Sequence, residues 1–234
     1  VTYTPKIYDW RGLCSPIDQV FRAGGESTMG GMTLGGFSSE NPQPGGRGEL
    51  VMNFEVFATD EANLDASWTI SRLLNGNVMR VPLYRTIQLV PLSSFHAEAF
   101  ENGIPWSESQ PWGNGENWAY SPTAPIAAAG LRGSPELKVD LGAYGQILKL
   151  GHVFGIYVDG YDFAHKVMDI TYDSSDVATI EVSPPLRRDV GTTDGIRFFP
   201  TMLVTCANAR EVMGNFSSGR HMQLSAARFV EALV

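Results

Sequence analysis

The clearest hydrophobic period in the chain begins at Leu50. Leu50, Met52, Phe54 and Val56 are apolar throughout and alternate with Val51, Asn53, Glu55 and Phe57, which is the two-residue period of a half-buried strand. Thr59-Asp60-Glu61 then supplies a capping hydroxyl and early carboxylates, and Asn75-Gly76 supplies a left-handed terminator. Together they bracket one α-helix carrying Ala62, Leu64, Trp68, Leu73 and Leu74. Residues 78–84 and 87–90 read as strands broken at Pro82 and Pro91, which belong at an edge or bulge because proline donates nothing to a ladder.

A second rhythm starts near 137. Apolar runs at 146–150, 153–158, 163–172 and 178–182 are separated by Asp159-Gly160 and by the polar stretch 173–176, and the last leads into Ser183-Pro184-Pro185-Leu186. Short strands at this spacing predict a small antiparallel barrel over 137–195. Residues 196–206 form a further strand run and 212–216 another. The closing segment is ambiguous: Met222, Ala226, Phe229, Val230 and Leu233 suit a helix, whereas 228–234 also suits a strand.

Two stretches lack any such period. Residues 24–48 hold nine glycines, with Pro42 and Pro44 and small or polar residues around Met29, Met32, Leu34 and Phe37. A segment of that composition gains little from burial and loses much entropy on ordering. It reads as a long loop or arm, either a linker or a loop that orders against a neighbouring subunit. Between Thr86 and Leu131 there is no Lys or Arg, and Trp106, Trp112 and Trp118 recur at six-residue spacing. That spacing fits neither a helical face nor a solenoid repeat, so 102–120 reads as a structured aromatic loop.

Composition narrows the picture. Gly and Pro make up 25 and 14 of 234 residues, which leaves little room for long helices and argues for a mainly β chain. Seventeen Lys and Arg against 25 Asp and Glu give a net charge of -8, which disfavours a sequence-specific nucleic-acid reader. No apolar run is long enough for a membrane span. The amino end, Val1-Thr2-Tyr3-Thr4-Pro5, lacks the basic and apolar regions of a secretory signal, and the expectation is of a trimmed initiator Met. Cys14 and Cys206 fit neither a disulfide framework nor a zinc motif and are expected as buried free thiols.

Catalytic chemistry has little to stand on. His96, His152, His165 and His221 are scattered without metal-binding spacing, and neither a nucleophile elbow nor a phosphate-cradling loop occurs. Glu108 and Glu116, flanking Trp112, form a conceivable glycosidase pair, but any acidic loop offers one. The expectation is of no enzyme, no metal and no cofactor. Trp106, Trp112 and Trp118 have two readings: a platform for sugar rings, or glue holding a proline-rich loop to the barrel or to another subunit. Arg187 and Arg188 read as a solvated strand end pairing with Asp189, more than as an anion patch.

The order of features resembles a known family. A strand-helix-strand opening over 54–84 leads to Gly103-Ile104-Pro105-Trp106-Ser107 and Pro111-Trp112-Gly113-Asn114-Gly115. Then follow Leu150-Gly151-His152-Val153-Phe154-Gly155-Ile156, Ala178-Thr179-Ile180-Glu181-Val182-Ser183-Pro184-Pro185-Leu186-Arg187, and a closing Arg228-Phe229-Val230-Glu231-Ala232-Leu233. Over roughly 50–234 this resembles the distal tail proteins, the tail-tip or baseplate rings of long-flexible-tailed phages and gene-transfer agents. The resemblance implies a tail-tube-like β-sandwich from 1–136 and 196–234, with a small OB- or SH3-like barrel inserted at 137–195. It also implies a structural virion protein at the tail tip, assembled in the host cytoplasm. Such a protein forms a homo-oligomeric ring, usually six-fold, that joins the tail tube protein to a trimeric tip hub protein and leaves a channel for DNA ejection. An acidic chain suits a conduit through which phosphates must pass. The alternatives are a carbohydrate-binding module on a phage tail tip, with the three tryptophans as its platform, and a glycoside-active enzyme.

Overall fold

The computed structural model describes residues 6–12, 14–24, 26–32, 38–43, 46–54, 56–57, 59–83, 89–105, 117–212, 214–216 and 222–233. The fold is mainly β. Its amino-terminal part runs β1 (Ile7–Asp9), β2 (Asp18–Arg22), β3 (Glu26–Met32), β4 (Ser38–Gln43), β5 (Glu49–Asn53), β6 (Val56–Phe57), α1 (Asp60–Leu74), β7 (Val78–Pro82) and α2 (Ser94–Asn102). Next come β8 (Thr123–Ala128), β9 (Glu136–Asp140), β10 (Val153–Val158), β11 (Tyr161–Tyr172), β12 (Val177–Ser183) and β13 (Gly195–Arg197). The chain closes with β14 (Thr201–Cys206), β15 (Gly214–Phe216), β16 (Met222–Leu224) and β17 (Ala227–Glu231).

Strands from both ends of the chain build one six-stranded sheet, ordered β1-β7-β14-β17-β5-β2. Only the β1–β7 pair is parallel; the others are antiparallel. The alternation holds over 50–54, where Leu50, Met52 and Phe54 are buried in one core with Phe229, but it stops there: β5 ends at Asn53, β6 pairs with β16 in a separate three-stranded sheet, and Phe57, expected on the opposite face, is buried too. The Thr59 hydroxyl caps α1 by accepting from the Ala62 amide at 3.2 Å. Ala62, Ala66, Thr69 and Leu73 line the inner face of the helix, while Leu64, 71% exposed, and Leu74 point outward. The closing segment resolves as strand: Ala227, Phe229 and Glu231 face inward at every second position.

The six strands β10-β11-β12-β9-β8-β13 close a barrel around Phe154, Ile156, Val167, Ile180 and Phe198. Asp159, at positive φ, and Gly160 make the β10–β11 turn. Asp173 accepts the amides of Ser175 and Val177 at 2.8 and 3.0 Å to make the next one. Val153 and Ala164 belong to the core under the sheet, so barrel and sheet share an apolar boundary.

Several expectations change. The barrel takes in β8, which precedes the expected start at 137; Pro125 and its alanines leave Ile126 as the one large inward residue there and hide the period. Residues 146–150 are no strand: Ile147 bonds back to Gly145 and His152 to Lys149, and these local turns exclude a ladder while Leu148 still plugs the barrel. The run 196–206 is divided. Phe198 belongs to the barrel core, Pro200 interrupts the ladder, and Met202 and Val204 belong to the sheet. There are two helices among the described residues where one was expected. The segment 24–48 contains no mere loop: β3 and β4 pair antiparallel from Glu26↔Gln43 to Met32↔Ser38, making a ribbon held by main-chain bonds that composition does not reveal.

Candidate interaction site

The described part of the aromatic region is built on α2. Ser93 precedes the helix and Gly103, at φ 73°, ends it. Ala99 is buried, and His96 turns inward, its Nδ1 2.7 Å from the Tyr120 hydroxyl and its ring against Tyr144. Tyr144 in turn packs edge-on to Phe198 and donates to the Thr123 carbonyl at 3.1 Å, so α2 is tied to the barrel. Burial and the neighbouring Tyr120 push the Tyr144 phenol above its ordinary pKa, which keeps it a neutral donor. On the other flank Phe100 stacks on Phe199, with ring centroids 3.9 Å apart.

The loop that follows has a closed neck. Ile104 and Trp118 exchange main-chain bonds of 2.8 and 2.9 Å, and Asn117 Nδ2 donates to the Asn102 carbonyl at 2.8 Å. Gly103 cannot be another residue without moving this neck, because a Cβ there would lie 2.6 Å from the Trp118 carbonyl oxygen. Between helix and neck lies a cleft of about 350 Å³, lined by Phe95, Glu98, Asn102, Ile104, Pro105 and Asn117. Trp118 stands beside the neck and is 60% exposed. Trp106 and Trp112 lie outside the described residues, as do Glu108 and Glu116, so Trp118 is the part of the expected platform whose position is known. Phe95, Glu98 and Glu101 also face solvent. The result is an apolar surface with a carboxylate rim. Such a surface matches an apolar partner carrying cations, and its carboxamides suit hydroxyl donors as well.

A second constellation fixes where the arm points. Arg187 grips Glu231 through Nε and Nη2 at 3.0 and 2.7 Å, and the same Nη2 donates to the Gly46 carbonyl at 2.7 Å. Glu231, 1% exposed, also accepts the Gly48 amide at 3.0 Å, and Ser183 donates to the Gly24 carbonyl at 2.9 Å. Both roots of the β3–β4 ribbon are therefore held by barrel residues and β17. This corrects the reading of Arg187 as a solvated end. Arg188 lies against Tyr161 and near Asp159, while Asp189 accepts the Arg132 amide. A Pro-Pro strand end bends the chain back onto the sheet, and sequence neighbours stop being partners.

A third ties the barrel to the sheet. Asp162, 2% exposed, receives Arg80 Nε at 2.6 Å, Arg197 Nη1 at 3.2 Å and the Thr201 hydroxyl at 2.6 Å, and Arg80 reaches on to Asp9 at 2.9 Å. No sequence motif marks these residues; their signal is only that Asp162 interrupts an otherwise apolar run. Nearby in the sheet core, Cys14 is buried and its thiol is pushed up to about 12 by burial and then by the Asp65 charge. Cys206 is half-buried, and both thiols are free.

His96 and His165 are side-chain packing partners in separate places, His152 accepts from the Lys149 amide, and His221 lies outside the described residues. Among the described residues no group of three or more His, Cys, Asp or Glu is placed to hold a metal ion. Nor, among them, is any helix long and apolar enough to cross a membrane. The chain matches no family model, and no curated protein is significantly similar to it.

Proposed function

We propose that the chain is a structural virion protein, a subunit of a homo-oligomeric ring at the distal end of a phage-type tail. The ring joins the tail tube protein to a trimeric hub and leaves a channel for DNA, and the chain carries out no catalysis. The observation that carries this reading is the interleaved architecture: one sheet drawn from 7–82 and 201–231, with a closed barrel spliced between its halves. That is the arrangement the family resemblance implies. The anchored ribbon adds support, because a ring needs heterologous contacts and a two-stranded arm held at both roots reaches a neighbour in a set direction. Light scattering after sizing, with two-dimensional class averages of the purified chain, tests it. Rings, or reversible assembly into them as concentration rises, are expected.

The exposure of Trp118 beside a cleft with Glu98, Asn102 and Asn117 favours one second reading, a carbohydrate-binding module on a tail tip. A chain that stays monomeric at high concentration and binds glycans, with binding lost in Trp118→Ala, would replace the ring reading with this one.

A further inference from the structure

Where β1 meets α1, half-buried Tyr8 and Trp68 cover the edge of the core and carry cations on their outer side, Arg72 also donating to the Tyr8 hydroxyl at 3.2 Å. Tyr8 and Trp68 meet edge to face with centroids 5.8 Å apart. Three cations surround them: the Lys6 ammonium 5.0 Å over Tyr8, the Arg72 guanidinium 4.5 Å over Tyr8, and the Arg11 guanidinium 4.7 Å over Trp68. Among the described residues none of the three has a carboxylate ion-pair partner. In a chain of net charge -8 that is a concentrated local excess of positive charge. The α2 surface is its opposite. Glu98 and Glu101 have no ion-pair partner among the described residues either, they lie in a stretch without any Lys or Arg, and their apolar neighbours are Phe95, Ile104 and Trp118.

We infer that these two faces are the two halves of one heterologous contact: the Lys6/Arg11/Arg72 face of one copy docks on the Glu98/Glu101 cleft face of the next. The inference rests on the ring reading above and says which surfaces close the ring. The rings of the first face are half-buried and those of the second are exposed, and the charges set directly against them, Lys6, Arg11 and Arg72 on one side and Glu98 and Glu101 on the other, are opposite in sign. Pairing them relieves both excesses and covers both apolar patches, whereas pairing like with like sets three cations against three. Because the two faces differ, the contact runs head to tail, the type of contact that a ring requires and an isologous dimer does not use. Arg over Tyr and Trp is also the combination that dominates interface energetics.

Charge reversal tests it. Arg11→Glu with Arg72→Glu, and separately Glu98→Arg with Glu101→Arg, should each weaken ring assembly at least about tenfold at physiological salt. An equimolar mixture of the two variants restores both pairings in an alternating ring and should recover assembly, which also shows that each variant is folded. Rings that persist in either variant, or a mixture that does not recover although both variants melt like wild type, overturn the assignment of faces while leaving the ring reading intact. A wild-type chain that never forms rings defeats that reading instead. If Arg11→Glu/Arg72→Glu assembles normally but loses binding of a single-stranded oligonucleotide, the cationic face belongs to nucleic acid and the inference fails.

Discussion

His165 is the residue at which burial, charge and pH meet. It lies in β11 with Nδ1 2.7 Å from the Pro184 carbonyl, and a carbonyl only accepts, so Nδ1 carries the proton of a neutral ring. Burial lowers its pKa from 6.5 to about 4, against the smaller opposing pull of the Pro184 carbonyl and Glu231. In the unfolded chain the ring takes up a proton as pH falls below 6.5, while in the fold it does so only near 4, so acid favours unfolding across that window. The limiting slope for one such proton is roughly 1 kcal/mol per pH unit across that window. Urea unfolding of wild type and of His165→Gln between pH 7 and pH 4 measures it; the slope of stability against pH should be shallower in the variant by about that amount per unit. A variant with the wild-type slope would show that His165 is not held neutral. None of this was legible in the sequence, where His165 is one of four unremarkable histidines. Its neighbours Glu231, Arg187 and Pro184 are distant or turned away in the chain and meet it only through the fold.

Among the elements, those whose side chains set the pattern were the ones the sequence displayed. The strand at 50–54 alternates because one face lies on the core, and α1 shows both of its ends because a hydroxyl and a glycine are needed there. Elements fixed by other means stayed hidden. The helix α2 is short, with Phe95 and Phe100 on its exposed side and the small Ala99 inward, so its apolar residues describe a surface and not a core. The β3–β4 ribbon is held by main-chain pairing, to which side-chain chemistry contributes no period. Its root does have a side-chain requirement. At Gly24 any Cβ would collide with the Gly46 carbonyl, and the Ser183 and Arg187 bonds prevent the two strands from parting to make room. Gly24→Ala should therefore release the root. Limited proteolysis of the free chain should cut within 24–48 several-fold faster than in wild type, with cleavage in the barrel unchanged. Equal rates would mean that the root does not constrain the arm.

For the whole molecule, the decisive relation is between the barrel and the sheet it interrupts. Asp162 joins them by accepting Arg80 and Thr201 from the sheet and Arg197 from the barrel. Removing the buried carboxylate takes from Arg197 its ion-pair partner and leaves Arg80 with Asp9 alone, and because both guanidiniums are partly exposed the cost is on the order of 2 kcal/mol. Asp162→Ala should accordingly split a single calorimetric transition into two, as barrel and sheet lose their common tie; one unbroken transition, merely shifted, would show that the apolar boundary alone couples them. The order of the sheet has a further, kinetic consequence. In β1-β7-β14-β17-β5-β2 the two central strands come from 201–231, so β7 and β5, both within the first 82 residues, have nothing between them until residues 201–231 have left the ribosome. All six barrel strands lie within 123–197, so the barrel can form before β14 and β17 are available. During synthesis the nascent chain therefore carries a finished barrel beside an open, strand-hungry half-sheet, the state in which it is most exposed to aggregation and in greatest need of a chaperone.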